Sequence, residues 1–109
     1  MLNDKYPKLV RDFIPQIIQK TTGKLPNIRI LGDNEFNDHL IKKLIEEVEE
    51  FKLATSIENK KEEMADILEV IDTILDQENW SANEMKDLQA KKRNKRGGFK
   101  GRVLLLDNN

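Results

Sequence analysis

The chain has 109 residues, 19 basic and 20 acidic, a net charge of −1 and no cysteine. That length suits one domain, 1–109, with a thin core that self-association would reinforce, and the missing cysteine excludes a disulfide scaffold and every thiolate metal site. With 38% apolar residues against almost no net charge, the composition is not that of disorder; no apolar run reaches the roughly eighteen residues of a membrane span and MLNDKYPKLVRD carries no apolar signal core, so a cytoplasmic protein is expected.

In chain order, LVRDFIPQIIQKTTG reads as a short helix, with Asp12 as N-cap, Pro15 in the first turn and Gly23 as the stop. A brief strand is offered by Asn27–Leu31. Asp33 caps the next pattern, in which Phe36, Leu40, Leu44, Val48 and Phe51 recur at helical spacing as far as about Ala54. After a break at Ala54–Ser56, a second long helix runs from about Glu58 to Glu78, with Met64, Ile67, Leu68, Ile71, Ile74 and Leu75 on one side. Ser81 and Glu84 form a capping box that opens a last helix, and Gly97-Gly98 ends it. The tail RVLLL, residues 102–106, has the composition of a strand that pairs with residues 27–31 as a minimal β patch. The expected fold is all-α: a four-helix bundle with two long central helices.

The acids are placed unevenly around these helices. A helix advances roughly 100° per residue, so with Leu44 at zero Glu47 falls near −60°, inside the apolar arc, and Glu50 at its edge near −120°. With Ile67 at zero on the next helix, Glu63 falls near −40° and Asp66 near −100°. Each helix thus carries an acid within its core stripe and a second three residues on. Such an acid is ordinarily solvated or paired with lysine, and Lys42, Lys43, Lys60 and Lys61 are at hand. The same displacement on two consecutive helices favours the other reading, in which two packed faces bring four carboxylates together. Four ionised carboxylates cannot share a half-dry site unneutralised. A hard divalent cation resolves the conflict, and oxygen ligands suit Mg²⁺, with Mn²⁺ as a substitute. The single histidine, His39, lies about two turns before Glu47 and is expected at the surface, so zinc is disfavoured.

Glu46-Glu47-Val48-Glu49-Glu50, followed after twelve residues by Glu63-Met64-Ala65-Asp66, is similar to the EExxE…ExxD pattern of the MazG-like all-α nucleoside triphosphate pyrophosphohydrolases. Lys8-Leu9-Val10-Arg11-Asp12, with Ile14-Pro15 after it, resembles the N-terminal signature of a small single-domain branch, and Arg96-Gly97-Gly98-Phe99 resembles that branch's C-terminal signature. The three blocks bracket nearly the whole chain. The resemblance implies a Mg²⁺-dependent enzyme that splits a nucleoside triphosphate between its α and β phosphates, a homodimeric or homotetrameric assembly, and a house-cleaning role or control of the nucleotide pool. By position it makes Glu47, Glu50, Glu63 and Asp66 the metal ligands, the four that the face geometry also selects. It gives Glu46 a second metal or the attacking water. Glu69-Val70-Ile71-Asp72 also fits ExxD, but its acids point away from the stripe.

Hydrolysis at phosphorus depends on positioning and on neutralising phosphate charge. Beyond the metal, that charge falls to Lys and Arg; Lys8, Arg11, Lys92 and Arg96 are the candidates, each with a solvated surface role as its alternative. Three other functions compete. The run KKRNKRGGFKGR holds seven bases between Lys91 and Arg102 and suggests contact with nucleic-acid phosphates, against which stand the balanced net charge and the lack of interleaved aromatics. A helical interaction module would use the apolar stripe alone. Hydrolysis of phosphoribosyl-ATP, the reaction of a related branch, lacks the KLVRD and RGGF blocks.

Overall fold

The apolar periodicities become four helices in the computed structural model, which describes residues 6–108: α1 (Ile14–Thr22), α2 (Asp33–Leu53), α3 (Ile57–Glu78) and α4 (Ala82–Arg96). The ends follow local chemistry. Pro15 sits in the first turn of α1, and Gly23 closes it in the left-handed conformation at φ 80°. Ser56 accepts from the Asn59 N–H at the start of α3, and Asn79 ends that helix at φ 62°. Ser81 and Glu84 form the expected reciprocal capping box. Gly97, at φ 83°, turns the chain sharply out of α4.

Three expectations need correction. Asp12 does not cap α1; that position is taken by Phe13, in a helical conformation without a side-chain cap. Gly32 rather than Asp33 is the N-cap of α2, which leaves Asp33 inside the first turn, where its charge complements the helix dipole. No strand forms among the described residues, so residues 27–31 and 102–106 make no β patch. Two isolated five-residue segments with nothing to cover them are too little for a stable pair. Instead, Arg29 forks onto both oxygens of Glu35 at 2.9 and 3.0 Å, which ties the first segment to the start of α2. Val103–Leu106 stay exposed.

Among the described residues, the one extensive helix interface joins α2 to α3. They run antiparallel through the short Ala54–Ser56 turn: Asp33 at the start of α2 meets Gln77 near the end of α3, and Glu47 meets Glu63 about two helical turns from the connecting turn. The buried residues Leu40 and Val70 lie on this seam. Its centre is not where an arc centred on Leu44 and Ile67 would put it. Both helices are rotated by roughly 60°, so that Glu47 stands at the middle of the buried face and not near its rim. The same offset about antiparallel axes turns the other half of each apolar arc to one common side. There Ile41, Ile45 and Val48 of α2 and Met64, Leu68 and Ile71 of α3 are 37–57% exposed. On the opposite side α1 stands across a cleft from Leu40, Glu47 and Val70 and buries none of its own residues.

The result is long. The radius of gyration is 17.9 Å, against about 13 Å for a compact chain of this size. α4 half-buries only Met85 and Ala90, and the chain beyond it is exposed. No helix among the described residues is long and apolar enough to cross a membrane.

Candidate metal centre

Helical spacing places Glu46, Glu47 and Glu50 on adjoining turns of α2, and the antiparallel register sets Glu63 and Asp66 of α3 across from them. Carboxylate oxygens of Glu46, Glu47 and Glu50 lie within 4.8 Å of one another, as do those of Glu47, Glu63 and Asp66. Glu47 belongs to both groups. It is also the one buried charged residue of the described chain, 4% exposed.

The electrostatics follow from this crowding. Glu47 Oε2 and Glu63 Oε2 are both buried without a hydrogen-bond partner. As long as both groups are ionised, each of these oxygens is an acceptor with no donor bonded to it. Burial pushes the Glu47 carboxyl up to about 8, helped by the proton it can share with Glu63 and by the charge of Glu50. Glu50 is raised as well, by burial first and then by Glu63. Lys43 Nζ offsets part of this: it donates to Glu46 Oε2 at 2.7 Å and stands 3.6 Å from Glu47 Oε1. Paired with lysine as an ordinary surface acid would be, Glu46 is satisfied. Glu47 is not: Lys43 stands near its Oε1, while its buried Oε2 has no hydrogen-bond partner.

On the solvent side Arg11 Nη2 donates to Asp66 Oδ1 at 2.7 Å, a contact between residues 55 apart in sequence. Beside it opens a cleft of about 820 Å³ between the 6–18 segment and the α2–α3 pair. Lys8, Arg11 and Lys43 bring positive charge to its wall, Glu47 and Asp66 form one edge, and Phe36, Leu40 and Val70 give it an apolar floor.

The donor set fits a hard divalent cation. Every potential ligand in the two acidic groups is a carboxylate oxygen, and Glu47 and Glu63, which share one of those groups, each keep a buried oxygen without a partner that a cation could satisfy. His39 is half-buried rather than at the surface as expected, and belongs to neither acidic group.

Glu46, Glu47, Glu50, Glu63 and Asp66 are therefore brought together, and Lys8 and Arg11 border them. Lys92 and Arg96 are exposed on α4 and do not line the cleft. Lys43, one of the four lysines at hand for pairing, takes the acids three and four positions after it, the spacing of a helical ion pair. One participant escapes the face analysis. Glu69, which points away from the apolar stripe, lines the cleft on the side where the 6–18 segment lies. Periodicity carries no signal for that. A scan against protein-family models and searches of curated proteins and solved structures find no match to this chain.

Proposed function

We propose that the chain is a Mg²⁺-dependent pyrophosphohydrolase that splits a nucleoside triphosphate at its α–β phosphate bond into nucleoside monophosphate and pyrophosphate. The observation that carries this reading is Glu47: a carboxylate 4% exposed at the centre of a helix seam, its Oε2 unpartnered, in one acidic group with Glu63, whose Oε2 is equally unpartnered. A fold without use for a cation would gain by placing a neutral residue there. The substrate class comes from the similarity of the EExxE…ExxD, KLVRD and RGGF blocks to the MazG-like enzymes.

In this reading Glu47, Glu50, Glu63 and Asp66 hold the ion, and both helices contribute ligands. Bound there, Mg²⁺ supplies neutralisation of the phosphate oxygens and acidifies water. The chain's residues do the rest. Glu46, steadied by Lys43, aligns the attacking water or helps hold a second ion. Lys8 and Arg11 meet phosphate charge from the cleft wall, and the apolar floor around Phe36 and Val70 keeps bulk water from the base end. In a single copy Lys92 and Arg96 are outside the cleft, so they can serve only where a second copy brings α4 to the acids. A homodimer or homotetramer also accounts for the uncovered Ile41, Ile45, Val48, Met64, Leu68 and Ile71 face, which is too apolar to be left to water.

Two substitutions test the site. Glu47→Gln and Glu63→Gln should each abolish pyrophosphate release and leave the far-ultraviolet circular dichroism helical; full activity in either would remove the site. The exposure of residues 91–102 favours one rival, contact with nucleic-acid backbone. That rival requires affinity for DNA or RNA that falls steeply with salt.

A further inference from the structure

The acid cluster has a counter-ion on its open side, and its position is informative. Arg11 comes from the segment ahead of α1, crosses to α3 and donates a single N–H to Asp66. Asp66 is the carboxylate that completes the group with Glu47 and Glu63. The pair is exposed, at 56% for Arg11 and 37% for Asp66. Pairs in that setting add little to stability, so the contact is poorly explained as a brace. Lys43 differs: it lies on the same helix as its acids and is well covered.

Resting on the metal reading above, we propose that Arg11 is an exchangeable counter-ion, holding Asp66 until a divalent cation takes that carboxylate and then releasing into the cleft. Both partners need the same negative charge, and an arginine left beside a bound dication is repelled by it. Arg11 uses one of its five N–H donors on Asp66. Once released it presents the whole fork to the cleft that it already lines, where phosphate oxygens are the matching acceptors. Cation entry and arming of a phosphate ligand become one event.

A brace and an exchangeable counter-ion predict opposite signs. Removing a brace frees Asp66 and weakens cation binding; removing a competitor strengthens it. The test is Mn²⁺ titration of the full chain without nucleotide, at low ionic strength, followed by the electron paramagnetic resonance signal of the free ion. Wild type, Arg11→Ala, Arg11→Gln and Glu47→Gln are compared, with circular dichroism to verify the fold. Arg11→Ala and Arg11→Gln should bind Mn²⁺ about two- to fivefold more tightly than wild type. The gap should narrow as salt screens the pair. Equal or weaker binding in either folded variant, with Glu47→Gln still abolishing the site, overturns the exchange and leaves the metal reading intact. Absence in wild type of any Mn²⁺ binding that Glu47→Gln removes overturns both.

Discussion

Replacing Glu47 with glutamine should separate proton, cation and fold at this site. In wild type the carboxyl holds its proton up to about 8 because it is buried beside Glu63 and Glu50. A cation that uses both Glu47 oxygens must displace that proton. Its binding therefore weakens about tenfold for each pH unit below 8, or about 1.4 kcal/mol per unit. At pH 8.5, with Mg²⁺ at a hundredfold excess over its dissociation constant, the native state gains about 2.7 kcal/mol. For a chain of this size that is a rise in melting temperature of roughly 10 °C. At pH 6 and the same Mg²⁺ concentration most of the gain disappears. Glu47→Gln should show almost no Mg²⁺-dependent rise at either pH, and without metal it should melt no lower than wild type at pH 8.5. Thermal denaturation followed by circular dichroism reads all four conditions. A rise in wild type that is the same at pH 6 and 8.5, or one that survives in Glu47→Gln, would refute the reasoning.

Without metal, wild type should lose stability relative to Glu47→Gln as pH rises from about 5 to 8, because the folded state keeps a proton that the unfolded chain, titrating near 4.5, has released. The gap should widen by at most about 1.4 kcal/mol per pH unit in paired urea titrations and level off above 8; a gap independent of pH would show that Glu47 titrates normally. Glu50→Gln and Asp66→Asn should each lower pyrophosphate release by at least about a hundredfold in steady-state assays. Ile45→Glu, on the uncovered face of α2, should shift the sedimentation profile toward monomer with helicity intact, whereas an unchanged profile would take that face out of the assembly. Ser81→Ala should cost about 1 kcal/mol in urea unfolding by removing the capping box of α4.

Four helices, the breaks between them and the capping box follow from apolar spacing and from Pro15, Gly23, Ser81 and Gly97, all local signals. The meeting of Glu47 with Glu63 and Asp66 was legible too, since a short turn between long helices fixes an antiparallel register. What periodicity could not supply was rotation. Each long helix carries an apolar arc wider than one neighbour can cover, so the arc alone does not say which half faces the partner. The seam chose the half that contains Glu47, and Ile41, Ile45, Val48, Met64, Leu68 and Ile71 were left outside. The side on which the N-terminal segment lies was hidden for a similar reason, and with it the Arg11–Asp66 contact, whose partners are 55 residues apart. The strands failed because β propensity in residues 27–31 and 102–106 needs a covered face to act on.

The central claim, that these acids serve hydrolysis of a nucleoside triphosphate, is tested most directly by pyrophosphate release with Mg²⁺ across a panel of standard and modified ribo- and deoxyribonucleoside triphosphates, with a chelator control. The account predicts chelator-sensitive release with the monophosphate as co-product from at least one member of the panel. Folded protein that binds Mg²⁺ yet releases no pyrophosphate from any of them would contradict it.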